Sequence, residues 1–459
     1  MDIQNERTNV NDLTQGVVWK KLLRFLFPIL TGLLFQQLYN TADAFIVGYF
    51  LDDNALAAVG GSVSVITNLI IGFFAGLVSG ATVMISQSYG AGDYDRLSRT
   101  LHTCFVFCVG VGLAITVGGY FAAPGALRIV KNHNVLMHDS TQYLRIYLCG
   151  AVPLLVYNLF QGTLQAVGDS GRPLKYLICS CLTNIALDLL FIGVFGWRVM
   201  GAALASVLSM CLCTALAMGH FLRTDKPHRF SFAKLKIDRS VLGGMIHIGL
   251  PSGLQSSMYS LSNIIIQAAI NGLGDTNIVS AWTATARLDG LYWVTTNAFG
   301  IAISSFAGQC YGAGKTERMK QAMRTCMAIS LSVTALLSTF LMLIARPAYS
   351  LFVKSPVAID KAIEIMWCIV PFYFTWSYSE VLTGTLRGTG NTFIPMIIVL
   401  IGTCIFRVVW MYTVVPAWNN VVGISIVYVI SWVITGVAFT FYYIRCRKNG
   451  FLNGKRSRF

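Results

Sequence analysis

Gln36, Asn40 and Asp43 stand four and three positions apart inside an otherwise apolar stretch. On a helix those steps put all three on one face. Asn184 and Asp188 repeat the step of four in a second apolar stretch, and Ser206 lies in a third. Together these residues supply two carboxyls, several amide oxygens and a hydroxyl. Such a set suits a proton relay, or a hard cation such as sodium that takes oxygen ligands. Polar groups inside apolar helices are costly and face a cavity or a partner, which makes them the first candidates for function. A plainer role stays open to each acid, namely a hydrogen bond between helices.

A second ionisable set follows later in the chain: Arg287, Asp289, Glu380 and Arg407. Arg287 and Asp289 are two apart and do not share a helix face. Either could pair with Glu380 or Arg407 across helices, or serve a substrate or a gate. Aromatic side chains are frequent nearby, and Tyr39, Tyr157, Trp282 and Trp293 are candidates to meet a substrate, since aromatic faces attract organic cations. Packing and interfacial belts use the same residue types. Pro28 and Pro251 each remove one helical hydrogen bond and permit a bend, fixed or switching.

The elements that must position these groups are membrane helices. The chain has 459 residues, 55% of them hydrophobic and 12% charged, with mean hydropathy +0.64. Soluble domains carry roughly 25% charged residues. Apolar stretches predict twelve spans, at about 20–48, 57–85, 101–123, 140–163, 174–195, 201–222, 243–270, 278–306, 325–345, 360–384, 393–414 and 422–444, with ends placed to within ~4 residues. The first is read as a permanent helix rather than a cleaved signal, because residues 1–19 are polar and no small-residue cleavage pattern follows.

Where the basic residues fall sets the orientation. With the N-terminus inside, 25 of the 34 Lys and Arg lie in inside segments, against 6 in outside loops. The net charge of +15 is then a belt facing anionic lipid head groups at the cytoplasmic face, not a nucleic-acid surface. Both termini are expected in the cytoplasm of a bacterial inner (plasma) membrane protein, and the expected state is a monomer. The twelve Cys and six His are dispersed without zinc spacing or a hydrolase pair, so neither a metal site (Na+ aside), a cofactor nor an enzyme is expected.

The chain also repeats itself. Residues 87–104, QSYGAGDYDRLSRTLHTC, match residues 309–326, QCYGAGKTERMKQAMRTC, at eight of eighteen positions and an offset of 222. The same offset aligns GTLQAVGDSGRP (162–173) with GTLRGTGNTFIP (384–395), and an offset of 223 aligns Pro28 with Pro251 and Asn40 with Asn263. Six spans per half give both halves one orientation, so the halves are parallel repeats. The expected organisation is a cytoplasmic segment 1–19, an N-lobe 20–222, a basic linker 223–242, a C-lobe 243–444 and a basic tail 445–459. The acids are not repeated: Asp43 aligns with Ile266 and Asp188 with Trp410, so an ion site built on them belongs to the first half. The glycine pairs Gly90/Gly92 and Gly388/Gly390 lack a third glycine and a preceding strand, and read as turns rather than a nucleotide fingerprint.

As a set, QQLYNTADAFIVGYF (36–50), the paired YGAG segments and the paired GTLQAVGD and GTLRGTGN segments resemble the multidrug and toxic compound extrusion family over nearly the whole length. The resemblance implies an all-α polytopic fold of two six-helix repeats forming a V-shaped bundle. It implies antiport of H+ or Na+ against amphipathic, often cationic, drugs or metabolites. It also implies a cation site of the N-lobe type at Asp43, Asn184, Asp188, Ala202 and Ser206, with Ser206 where relatives often carry Thr. Asn158 is a weaker match to a polar cavity residue. The seventh span lacks the acid that some relatives use for a C-lobe site. More distant relatives of similar fold move lipid-linked precursors across the bilayer, and that flippase role is the alternative. They would need several cavity Arg or Lys for a pyrophosphate, whereas only three basic residues fall within spans here.

Overall fold

The computed structural model describes residues 12–448, apart from 52, 131–133 and 419. The outer parts of the expected N-terminal segment and basic tail (1–11 and 449–459) lie outside the described residues, as does Lys131. Taken end to end, the described helices form twelve long rods. In the first half these are α1 (Val18–Phe50), α2 (Ser62–Ala91), α3 (Tyr94–Ile129), α4 (Met137–Cys149 and Ala151–Ala166, bent by 48°), α5 (Gly171–Val194) and α6 (Arg198–Arg223). In the second half they are α7 (Arg239–Gly272), α8 (Thr276–Gly312), α9 (Thr316–Leu343), α10 (356–388), α11 (Phe393–Thr413) and α12 (Val421–Lys448). Seven of the helices are long and apolar enough to cross a membrane by length and composition, and the bent α4 makes an eighth. The bend of α4 has a local cause, Gly150 between its two halves, and Pro28 and Pro251 lie inside α1 and α7.

The repeated glycine motifs are helix ends. Gly92 closes α2 with φ +72°, and Gly314, 222 residues later, follows α8 with φ +69°. Gly168 (φ +81°) and Gly390 (φ +87°) do the same after α4 and α10. Left-handed backbone of this kind suits glycine and lets the chain satisfy the last carbonyls of the helix. Asp169 N–H accordingly donates to Leu164 O at 2.8 Å, and Asn391 N–H to Leu386 O at 3.1 Å.

The rods divide into two compact units. The first holds Arg24–Gly253, and the second holds Leu13–Leu23 with the described part of Leu254–Phe459. Pairing within each unit follows the repeat: α2 packs on α3 and α4, and α5 on α6, while α8 packs on α9 and α10, and α11 on α12. Lipid tails are as apolar as leucine, so burial of apolar area does not hold these rods together. Close packing and interhelical hydrogen bonds must do so. Small residues at the crossings permit it. A Cβ added at Gly162 of α4 would meet Thr82 Oγ1 of α2, and one at Gly384 of α10 would lie 2.7 Å from Gly300 O of α8.

Two chain segments outside the rods are tied down. In the first unit, the stretch after α6 docks on α3. Ser231 N–H donates to His102 Nε2 at 3.0 Å, Thr103 Oγ1 donates to Lys236 O at 3.1 Å, and the Phe230 ring stacks on His102 at 4.9 Å. In the second unit, Arg318 of α9 donates to three carbonyls, Leu13 O at 2.9 Å, Gly16 O at 2.8 Å and Gln15 O at 2.6 Å.

Candidate functional site

Each unit contains a cavity close to 400 Å³. The first unit's, about 380 Å³, is walled by α1, α2, α4 and α6. Gln36, Tyr39, Asn40 and Asp43 all line it, as their spacing on one helix face requires. Ser64, Thr67 and Asn68 of α2, Tyr143 and Tyr147 of α4, and Ser206 of α6 complete the polar wall. None of the described lining residues is Lys, Arg or His, so the wall carries negative and dipolar groups without a built-in cation.

Asp188 stands behind this wall. It is fully buried, as are Asn184 and Ala202. Its carboxyl lies near enough to that of Asp43 for the two to interact directly. Two carboxyl groups can hydrogen-bond each other only with a proton between them. One oxygen of each acid, Oδ1, has no partner. With the Asn184 amide oriented to satisfy its neighbours, Nδ2 donates to Asp188 Oδ2 at 2.8 Å and Oδ1 accepts from the Ser206 N–H at 3.3 Å. Tyr39 Oη and Ser206 Oγ are 3.4 Å apart. The helix carrying Asp188 changes pitch there: Gly171–Asp188 is α-helical and Leu189–Val194 is a π-helical turn. Such turns displace backbone from the regular ladder and recur at functional positions. The oxygen set fits either one shared proton or a small hard cation that neutralises both acids.

The second unit's cavity, about 390 Å³, is mainly aromatic: Tyr259, Trp282, Trp293, Tyr428 and Trp432, with Asn263, Gln267, Thr285 and Asp289 as its polar groups. Asn40 and its repeat twin Asn263 therefore each line the cavity of their own unit. The expected pairing among Arg287, Asp289, Glu380 and Arg407 is not found: no ion pair among the described residues joins any two of them. Asp289 instead accepts a short hydrogen bond from the Tyr373 hydroxyl. Glu380 packs against Gly300, where a Cβ would strike its Oε1. Arg287 is exposed.

Arg407 is fully buried on α11. Its Nε donates to Ser431 Oγ at 3.0 Å, and its guanidinium lies 3.9 Å from the Tyr428 ring centre, 5.8 Å from Tyr259 and 5.9 Å from Trp432. Nη1 and Nη2 have no hydrogen-bond partner in good geometry, although the Tyr259 side chain is near enough to act on the guanidinium. A buried charge without a counter-ion costs several kcal/mol, and three aromatic faces at about 0.5–2 kcal/mol each offset part of it. These rings line the cavity and Arg407 does not. A cation entering across Tyr428 would sit roughly 7–8 Å from the guanidinium, where repulsion at an effective dielectric near 20 is about 2 kcal/mol, as large as the cation–π attraction on offer.

Some residues fall elsewhere than function would require. Tyr157 is buried in the core and its hydroxyl donates to Pro173 O at 3.3 Å. Asn158 is half-buried and does not line either cavity. Sequence reasoning passed over Tyr143 and Tyr147. Their step of four, on the same helix as Arg145, was the available signal.

Comparison with known proteins gives a consistent picture. The model of the MatE family matches residues 28–190 and 251–413, two copies 223 positions apart. Two Bacillus subtilis (strain 168) proteins, probable multidrug resistance proteins YoeA and YpnP, are each 27% identical. YoeA covers 87% of this chain and 87% of its own length, and YpnP 94% and 96%. An FAD transporter of Shewanella oneidensis is 26% identical, over 76% of this chain and 77% of its own. Among solved structures, the outward-facing conformation of a multidrug resistance MATE family transporter superposes with TM-score 0.89 at 25% identity, covering 96% of this chain and 98% of that one.

Proposed function

Because the chain belongs to the MatE family, which comprises multi-pass membrane transporters and not enzymes, we propose that it is a secondary active antiporter. It exports amphipathic compounds, chiefly organic cations, in exchange for H+ or Na+ by alternating access. The coupling site is Asp43, Asn184, Asp188, Ala202 and Ser206. The observation that carries this reading is the proximity of two carboxyl groups, one fully buried, at the wall of a polar cavity whose described lining includes no Lys, Arg or His.

Coupling follows from charge. With a proton or sodium ion between them, Asp43 and Asp188 hold α1 against α5. Without it, two carboxylates would repel in a dry environment and the contact would open. An ion can bias a two-state transporter only by its differential affinity for the two states, and a site whose oxygens converge in one state supplies that difference. Pro28, fifteen residues before Asp43, removes one helical hydrogen bond and gives α1 a place to bend. The chain acts as a monomer in a bacterial inner membrane with both termini inside, its basic belt on anionic lipid.

The test is efflux of a fluorescent organic cation from proteoliposomes, with a proton gradient and a sodium gradient imposed separately. Wild type should respond to at least one gradient, and that gradient identifies the ion. Asp43→Asn and Asp188→Asn should lower gradient-driven efflux by about tenfold or more, since a neutral amide removes the charge the ion neutralises. Asp43→Asn that transports as well as wild type would refute the mechanism.

A further inference from the structure

We propose that the aromatic cavity of the second unit is a separate ligand subsite, one that takes a flat aromatic group carrying negative charge. It deepens the export reading by adding anionic aromatics to the substrate class, and it rests on that reading only for its biological purpose. Three observations lead to it. The cavity is walled by Trp and Tyr rings, which stack on planar groups at little entropic cost. Arg407, permanently charged and fully buried, stands against three of those rings, Tyr428, Tyr259 and Trp432, with Nη1 and Nη2 lacking a hydrogen-bond partner in good geometry and, among the described residues, no acid within ion-pair distance. Its charge is therefore uncompensated in the protein and is felt through Tyr428 at the cavity surface.

That placement inverts the usual preference of an aromatic box. The faces of Tyr428 and Trp432 already serve the guanidinium, so an organic cation on their other side gains little and is repelled. An anionic group there is attracted and supplies the missing counter-charge. Asp289, one oxygen of which is taken by Tyr373, leaves its other oxygen for an N–H or O–H of the same ligand. The chemistry described is that of an acidic aromatic with a phenol or ring N–H. It differs from that of the first unit, where the acid on the wall, Asp43, is backed by a second acid, Asp188, rather than by a buried arginine.

Two dyes with one xanthene ring system and opposite charge, fluorescein and rhodamine 123, separate the readings. Each is titrated by fluorescence polarisation into the purified full-length protein, at a pH where fluorescein is anionic. Wild type should bind fluorescein, Arg407→Met and Trp282→Leu should each weaken it by about tenfold or more, and rhodamine 123 should change by less than about twofold. Trp282 lies on the cavity wall and is only partly buried, so its variant guards against misfolding at Arg407. The proposal is overturned if wild type fails to bind fluorescein, if Arg407→Met binds it normally, if Trp282→Leu leaves it unchanged, or if both variants lose both dyes. Rhodamine 123 bound but never exported would instead refute the export reading and leave the subsite standing.

Discussion

Asp43 and Asp188 differ in what the protein gives them. Asp43 lines the cavity, whereas Asp188 is sealed behind it and takes one hydrogen bond from Asn184. Ser206 joins the two layers, its backbone N–H to Asn184 and its hydroxyl toward Tyr39. Only the hydroxyl depends on the side chain, so the expected result is a graded one. Ser206→Thr keeps an oxygen at the cavity wall and should retain gradient-driven efflux. Ser206→Ala removes it and should raise the ion concentration for half-maximal efflux several-fold, because one hydrogen bond or ligand is worth about 1 kcal/mol. Equal efflux from Ser206→Ala and wild type at every ion concentration would take Ser206 out of the site. Asp43 and Asp188 were legible as candidates because an acid in a membrane helix is costly, and Asn184 because it stands four residues before Asp188 on the same face. Arg407 was legible as a costly residue for the same reason, but its surroundings were not. Which residue faces it depends on the register between helices, and an acid pairing was the natural expectation. Tyr428, Tyr259 and Trp432 take that place, and their faces offset part of the cost of the unmatched charge.

Helices bring these residues together through backbone contact rather than large side chains. In the first unit, α2 carries Gly76-Leu-Val-Ser-Gly80 and the start of α7 carries Gly249-Leu-Pro-Ser-Gly253. A Cβ on Gly249 would lie 2.1 Å from Leu77 O, and one on Gly80 would lie 2.4 Å from Met245 O. Both obstacles are backbone atoms and cannot rotate aside. Gly249→Ala should therefore force the two helices apart, with a loss of roughly 2–3 kcal/mol from overpacking and a lower melting temperature in detergent. Gly243→Ala, with open space around its Cβ, is the matched control and should melt like wild type. If Gly249→Ala also melts like wild type, this crossing is looser than its geometry states. The span positions were readable from hydropathy, and so were the turns after α2, α4, α8 and α10 from their repeated glycines. The π-helical turns at Leu189–Val194 and Leu400–Ile405 were not. They depend on one extra residue being accommodated within a helix, which leaves no mark on the apolar pattern. One follows Asp188 directly and the other ends two residues before Arg407, so both buried ionisable residues sit where the helical ladder is already disturbed.

At the scale of the whole chain, two copies of one packing scheme carry different chemistry. α2 with α4 and α8 with α10 meet at the equivalent glycines Gly162 and Gly384, yet Asp43 and Asp188 have Ile266 and Trp410 at the matching positions of the second copy, and the buried Arg407 belongs to that second copy. An even number of spans per copy would give both copies a single orientation, and the orientation proposed above rests on where the cations lie. Moving Lys and Arg across a bilayer is expensive, so loops rich in them stay inside. The segment after α6 holds Lys226, Arg229, Lys234 and Lys236, and the starts of α3 and α5 hold Arg96, Arg99, Arg172 and Lys175, whereas the loop between α9 and α10 holds Arg346 and Lys354. In a cysteine-free background, Asp225→Cys, whose native side chain is 98% exposed, should react with a membrane-impermeant maleimide only after the cells are opened. Asp360→Cys, on the opposite side by this reasoning and 60% exposed, should react in intact cells. Reversed labelling would invert the direction of transport inferred for the coupling ion while leaving both cavities as they are. Labelling of both sites from one side would contradict the three crossings, α7, α8 and α9, that separate the two positions.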